Sequence, residues 1–337
     1  MAQKLTREKI LTGDRPTGPL HLGHLVGSLQ NRLKLQDDYD CYFIIADYQA
    51  LTDHLKETEL VEKHTTEIVL DWLSVGLSPE KSTFFIQSRV LEIAELTMYF
   101  SMLVTLARLQ RNPTVKEEIK NSGILHISYG FLGYPVSQAA DILIVRAQLI
   151  PVGEDQLPHI EQTREIARTF NTLFGEVFPI PEGLVGTIPR LPGLDGQKMG
   201  KSANNAIYLK DSPAEIKSKI NSAITDPERI RATDPGHPET CNIYQYHIAF
   251  NQGNVSEIEQ SCRHGKIGCV TCKKDIADRI IEYLSPIQEK RAFYQARPAI
   301  YQKALKEGIK RTRREAKKTI TLVHEAMHYD YRSLLCL

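Results

Sequence analysis

Long apolar runs are missing from this chain. Nowhere in its 337 residues is there a stretch approaching the ~20 apolar residues that a bilayer-spanning helix needs. The opening Met1-Ala2-Gln3-Lys4 has no apolar signal-peptide core, so the expected location is the cytoplasm, with no membrane partner. A surplus of either charge is missing too. There are 42 Lys and Arg against 41 Asp and Glu, a net charge of +1, and bulk charge therefore announces no nucleic-acid partner. Cysteines are few, six in all, and in a cytosolic chain they do not read as a disulfide framework. Tryptophan occurs once, as Trp72, in an amphipathic stretch where a core role is expected. Two phosphate-binding signatures are also absent, G-x-x-x-x-G-K-[ST] and an early G-x-G-x-x-G, so phosphates must be held by something other than a P-loop. What remains is the composition of an ordinary soluble protein, 42% hydrophobic and 25% charged, with length enough for two domains and a large core.

The most informative stretch is Thr12-Gly13-Asp14-Arg15-Pro16-Thr17-Gly18-Pro19-Leu20-His21-Leu22-Gly23-His24. It follows Lys9-Ile10-Leu11, which reads as a strand, and precedes Leu25-Val26-Gly27-Ser28-Leu29, which reads as the start of a helix. A strand, a glycine-rich turn and a helix N-terminus make an anion site, because free backbone N–H groups and the positive end of the helix dipole face outward. His21 and His24 are three apart and share a face of a helical first turn. Gly23 leaves room for a flat ligand. Two imidazoles beside a nucleotide phosphate can donate hydrogen bonds as negative charge builds up. Residues 40–47 then read as a buried strand, 59–75 as an amphipathic helix, and 83–87 as a third strand after the Ser78-Pro79 break. Strands alternating with helices predict an α/β fold, a Rossmann-like parallel sheet doubly wound by helices, with ligands beyond the strand C-termini at the switch point.

A second motif, Gln197-Lys198-Met199-Gly200-Lys201-Ser202, follows Leu191-Pro192-Gly193-Leu194-Asp195-Gly196. This exposed, glycine-rich setting suits a moving phosphate clamp. Together, HLGH and KMGKS resemble the HIGH and KMSKS loops of class I aminoacyl-tRNA synthetases, with Leu for Ile and Gly for Ser. Between the motifs, Tyr134-Pro135-Val136-Ser137-Gln138-Ala139-Ala140-Asp141-Ile142-Leu143 sets Asp141 in an apolar helical frame. A buried carboxylate is costly unless it is paired, so Asp141 either meets a structural partner such as Arg146 or accepts a hydrogen bond from a ligand. The segment resembles the specificity helix of tryptophanyl-tRNA synthetases, Y-P-x-x-x-A-A-D-I-L. Gly153-Glu154-Asp155-Gln156 resembles their G-x-D-Q.

The resemblance implies an ATP-dependent ligation of L-tryptophan to tRNA(Trp) through an adenylate, with Mg²⁺ accompanying ATP and a homodimer as the working form. His21, His24, Lys116, Lys198 and Lys201 become catalytic candidates. Lys116 would reach the leaving pyrophosphate from Arg111-Asn112-Pro113-Thr114-Val115-Lys116, which by itself reads as a polar turn. ATP contacts fall to Arg15, Pro16, Thr17, Gly23, His24, Gly153, Glu154 and Asp155, and to Lys198, Met199, Gly200, Lys201 and Ser202; Gly153 and Asp155 would hold ribose. Asp141 would take the indole N–H, with Tyr134, Gln138, Gln49 and Gln156 around the tryptophan. Gln138 and Gln49 stand where many relatives carry Met and His, which makes this pocket more polar.

Beyond residue 205 the pattern is helical, with a capping box at Ser212-Pro213-Ala214-Glu215 and a near repeat at Thr225-Asp226-Pro227-Glu228. The expected division is a catalytic domain over 1–205, an all-helical anticodon-binding domain over 206–290, and C-terminal basic helices over 291–337. Residues 303–318 hold eight Lys or Arg against Glu307 and Glu315, either a solvated helix face or a track for tRNA phosphates. Cys241, Cys262, Cys269 and Cys272 are spaced C-x20-C-x6-C-x2-C, with His264 near as a spare ligand. Four thiolates suit zinc or an iron–sulfur cluster, and reduced thiols are the third reading. Resemblance to the iron–sulfur-bearing branch of bacterial tryptophanyl-tRNA synthetases implies a [4Fe–4S] cluster, with zinc second. Leu334-Leu335-Cys336-Leu337 suggests no role. The rival functions are a tyrosyl-tRNA ligase, a tRNA-independent nucleotidylyltransferase and an RNA-binding iron–sulfur regulator.

Overall fold

The computed structural model describes residues 7–122, 126–185, 191–201, 203–329, 331 and 334. Five parallel strands form the sheet: β1 (Lys9–Asp14), β2 (Asp40–Ile45), β3 (Ser82–Ile86), β4 (Leu149–Val152) and β5 (Glu182–Val185), in the order β3-β2-β1-β4-β5. The chain order reverses between β1 and β4, so the crevice beyond their C-terminal ends is the ligand position of an open α/β sheet. β1 to β3 lie where the alternation of elements puts them. β4 was hidden because Ile150-Pro151-Val152 reads as the entrance to a helix; the helix begins later, at Leu157–Phe174. β5 was missed because its residues are largely exposed, and an edge strand needs no apolar run. Among the described residues, no strand follows it.

Side chains alternate across the sheet. Ile10, Phe43, Ile45 and Phe84 face helix Thr58–Val75 and share a core with Trp72, which is fully buried. That core continues into the helical region through Ile216, Tyr246, Ile276, Ile280 and Leu284. Leu11, Tyr42, Ile44 and Phe85 face helices Glu92–Ser101, Tyr129–Ile144, Leu157–Phe174 and Pro298–Ala326. The last helix, basic in sequence, therefore runs along edge strand β3 and touches both cores, Tyr301 and Leu305 on one side and Ala316, Ile320 and Val323 on the other. Thr319 Oγ1 donates to Ile144 O at 2.7 Å, and Arg311 pairs with Asp40 at 2.6 Å. A side chain at Gly308 would put its Cβ 1.9 Å from Phe84 O.

Two local expectations change. The stretch around Lys116 is not a turn but helix Pro113–Ser122, with proline at its first position, where no N–H is missed. Thr225-Asp226-Pro227-Glu228 starts no helix: Asp226 Oδ1 accepts the Glu228 N–H at 2.9 Å, while Oδ2 accepts from His237 N and Nδ1. The Ser212 box does cap helix Pro213–Ser222, and the Ser212 N–H donates to Glu215 Oε2 at 2.7 Å. Among the described residues, no helix is long and apolar enough to cross a membrane.

Candidate active site

β1 ends on a buried charge. Arg32 Nη1 donates to Asp14 Oδ2 at 2.7 Å, Trp72 Nε1 donates to the same oxygen at 2.9 Å, and Arg32 Nη2 reaches Gly13 O at 3.0 Å. Burial pushes the Asp14 carboxyl up, but Arg32, His24 and these hydrogen bonds outweigh it and hold it at about 2. Glycine is needed at 13 because a Cβ there would stand 2.0 Å from Ile44 O. The anchored strand end launches the loop to His21, after which helix Leu22–His24 widens into a π turn, Leu25–Leu29, and continues as Gln30–Asp38.

The two histidine rings lie together, their centroids 3.8 Å apart. The backbone N–H of His21 donates to His24 Nδ1 at 3.3 Å, which leaves the proton of a neutral His24 on Nε2. Burial lowers His21 to about 2 and His24 to about 4, so at neutral pH both are uncharged imidazoles that can give a hydrogen bond. The downstream motif packs directly on this turn. Gly23 N–H donates to Met199 Sδ at 3.3 Å, and a Cβ at Gly23 would press on the His21 ring at 3.0 Å. Lys201 Nζ donates to Gly18 O at 2.7 Å and to Thr17 Oγ1 at 3.3 Å. Burial lowers its ammonium to about 8. Lys198, largely exposed, reaches Asp155 at 3.3 Å. Gly200 N–H donates to Asn205 Oδ1 at 2.9 Å. Ser202 lies outside the described residues.

A cavity of about 420 Å³ opens beside these loops, walled by Asp14, Arg15, His24, Gln49, Tyr134, Gln138, Asp141, Gly153, Asp155 and Gln156. Asp141 is only 3% exposed, and its partner is not Arg146. Gln87 Nε2 donates to both carboxylate oxygens at 2.8 Å. Burial still raises the acid well above the usual carboxylate range, since an amide opposes desolvation less than a cation would. Gln87 was not singled out from the sequence; the available signal was a polar residue closing the apolar run Phe84-Phe85-Ile86 at the end of a strand. Tyr134 gives its hydroxyl proton to Glu118 at 2.7 Å and lies 3.0 Å from His159 Nε2. Gln138 Oε1 is buried with no hydrogen-bond partner among the described residues, an acceptor that a bound molecule would satisfy.

The remaining candidates fall outside the cavity wall. Pro16 is buried in the loop, and Glu154 is exposed. Thr17, Gly23, Met199 and Lys201 make the loop-to-loop contact instead, while Gly200 bonds Asn205 within its own segment. Lys116 is exposed on helix Pro113–Ser122 and is not brought to the cavity; that helix instead ties Thr114 Oγ1 to Asp155 O at 2.9 Å and contributes Glu118.

A family model described as tRNA synthetases class I (W and Y) matches residues 3–285. The chain belongs to this family. A tryptophan–tRNA ligase of Chlamydia caviae is 47% identical over 342 residues, covering 98% of this chain and 99% of that protein. One from Thermotoga maritima is 46% identical over 327 residues, covering 95% and 99%. The crystal structure of a Campylobacter jejuni tryptophanyl-tRNA synthetase complexed with ADP and tryptophan superposes with a TM-score of 0.86 at 30% identity, covering 95% of this chain and 99% of that one.

The synthetase's four clustered cysteines do converge: Cys241, Cys262, Cys269 and Cys272 line one small cavity of about 20 Å³ with Asp226 and Arg229. Arg229 Nη1 lies 3.7 Å from Cys262 Sγ and 3.9 Å from Cys269 Sγ, and its Nη2 donates to Ala232 O and Ile267 O at 2.6 Å each. His264, expected as a spare ligand, turns Nδ1 to Gln260 O at 2.7 Å; the imidazole near the sulfurs is His247, 3.2 Å from Cys272. Burial pushes the Cys272 thiol up to about 12. Among the described residues, no group of three or more His, Cys, Asp or Glu side chains is arranged to hold a metal ion. The donor chemistry suits a soft metal, but the arrangement, with a guanidinium seated against two of the sulfurs, does not.

Proposed function

We propose that this synthetase ligates L-tryptophan to its tRNA through a tryptophanyl-adenylate. The observation that carries the reading is the packing of Gly23 on Met199 and of Gly18 on Lys201 beside a cavity whose far wall holds Asp141. The amino-acid carboxylate attacks the α-phosphorus of Mg²⁺-ATP and pyrophosphate leaves; a hydroxyl of the tRNA's terminal ribose then attacks the adenylate carbonyl and AMP leaves. No protein nucleophile is required, so catalysis comes from alignment and from charge stabilisation. Neutral His24 gives its Nε2 proton as a hydrogen bond to a phosphate oxygen, with His21 packed behind it. Lys201 and Lys198 neutralise the outer phosphates, with Arg15, Pro16 and Thr17 shaping the loop beneath them. Gly153 and Asp155 take the ribose, flanked by Glu154 and Gln156. Asp141 accepts the indole N–H between Tyr134, Gln138 and Gln49. Lys116 reaches the pyrophosphate only if helix Pro113–Ser122 moves toward the cavity.

ATP–pyrophosphate exchange run with each amino acid tests this. Exchange driven by tryptophan alone is expected; exchange driven by tyrosine, or by no amino acid, overturns the reading in favour of the tyrosine enzyme or of a nucleotidylyltransferase. Helices beyond residue 205 are proposed to read the anticodon, within the 1–205, 206–290 and 291–337 division, and the outward cations of helix Pro298–Ala326 to follow tRNA phosphates. The proposed homodimer would cover Met98, Met102, Leu106 and Tyr129, each more than half exposed, beside a second, largely apolar cavity of about 430 Å³; a monomer in solution removes it. Cytoplasmic location goes with this role. A [4Fe–4S] cluster, or zinc, rests only on the convergence of four thiols and requires Arg229 to withdraw. Anaerobically purified protein without visible absorption or zinc removes it.

A further inference from the structure

Helix Cys269–Gln295 belongs to the helical region, yet its last turns reach the base of the ATP loops. Arg291, buried there, pairs with Asp71 on helix Thr58–Val75, and its Nη2 donates to Glu67 Oε2 at 2.8 Å. Asp71 is 1% exposed and uses its second oxygen to accept the backbone N–H of Leu20 at 2.9 Å. Leu20 immediately precedes His21. The segment following the KMGKS loop is bound at the same place. Leu20 O accepts the Leu209 N–H at 3.0 Å, and Leu22 N–H donates to Ile207 O at 2.9 Å. Lys210 pairs with Glu67 at 2.9 Å, and Gln288 Nε2 donates to Leu209 O at 3.0 Å and Asp211 O at 2.9 Å. One helical turn, carrying Gln288 and Arg291, therefore grips the roots of both loops.

A buried ion pair is a poor way to gain stability, since apolar side chains of the same volume often do as well or better. Burial pushes the Asp71 acid up, and Arg291 and the Leu20 N–H oppose that push. What this pair does that an apolar pair could not is hold one particular N–H, that of the residue before His21. We propose that Asp71 and Arg291 are positioning residues for amino-acid activation. Arg291 keeps the Asp71 carboxylate aimed at Leu20, and Leu20 in turn keeps His21, His24 and the 207–209 segment where His24 and Lys201 meet ATP. The conformation of the ATP loops is thereby tied to the helical region. This rests on the assignment of His24 and Lys201 to ATP.

The test is tryptophan-dependent ATP–pyrophosphate exchange on the full chain. In Asp71→Leu/Arg291→Met the buried charges are removed together, which avoids leaving one unpaired, but the Leu20 N–H loses its acceptor. The ATP KM is expected to rise about tenfold, as for one lost hydrogen bond to a charged group, with the tryptophan KM unchanged. Asp71→Asn/Arg291→Gln, which restores an acceptor without charge, is expected to recover most of the loss. A folded Leu/Met double variant with an unchanged ATP KM, or with both KM values raised alike, overturns the proposal. Should that variant not fold, Arg291→Lys, which keeps the cation and loses the fork, must still raise the ATP KM; an unchanged value also overturns it. His24→Ala and Lys201→Ala are run alongside. If those two leave the ATP KM unchanged, it is the assignment of the site that fails.

Discussion

Asp141→Asn separates recognition from folding, because the two should move in opposite directions. Both carboxylate oxygens are engaged by one Gln87 nitrogen at 2.8 Å, no cation among the described residues compensates them, and burial raises the acid. An acid raised in the folded state binds its proton more tightly there than in the unfolded chain. Its contribution to stability is present at low pH and falls as pH rises through the window above 3.8. Asparagine removes that penalty, so the variant should be no less stable than wild type at pH 7 and should lose this part of the pH slope. Recognition should suffer. An amide offers one oxygen and one NH₂. Whichever way it turns, a donor faces either Gln87 Nε2 or the indole N–H. Loss of a hydrogen bond to a charged group costs about 1.5–3 kcal/mol, which at about 1.4 kcal/mol per decade is a fall of about 10- to 150-fold in kcat/KM for tryptophan. Exchange kinetics with tryptophan and ATP varied separately give the first number, and thermal denaturation at pH 5 and pH 7 gives the second. An equal loss in the ATP KM, or marked destabilisation at pH 7, would mean that Asp141 does not read the indole.

Two further expectations follow from the fold. Gly308→Ala places a methyl group on Phe84 O, where the ideal Cβ would stand at 1.9 Å. Overpacking of this kind costs about 1–3 kcal/mol, visible as a lowered urea midpoint; an unchanged midpoint means that the last helix does not lie on β3 as described. Acid should lower the stability over two pH ranges. Unfolded imidazoles take a proton near 6.5 but folded His24 only near 4 and His21 near 2, so the unfolded chain binds more protons below 6.5 and stability falls as pH drops. Asp14, held at about 2 against 3.8 when unfolded, contributes about 2 kcal/mol above that range, lost between 3.8 and 2. Urea titrations from pH 7 to pH 2 that show a flat profile would refute both.

Much of this protein was legible in one dimension, for reasons of period and punctuation. Apolar runs of strand length between amphipathic helices dictate a doubly wound sheet, since each element must bury one face. Pro and Gly around His21 and Lys198 mark two loops, and a carboxylate in an apolar helical frame announces Asp141. β4 and β5 were not legible, because Pro151 imitates a helix entrance and an exposed edge strand carries no hydrophobic signal. Nor was Lys116's place on an exposed helical face.

Packing decides who meets whom. One dimension supplies the inventory: two imidazoles, two lysines, a buried acid and a cluster of thiols. That Gln87, not Arg146, holds Asp141, that a guanidinium sits among the thiols, and that Arg291 steadies the residue before His21 through Asp71 depend on contacts between residues 33 to 220 positions apart. Local pattern encodes which face a side chain takes. It does not encode which partner, brought from elsewhere by the packing of whole elements, that face will find.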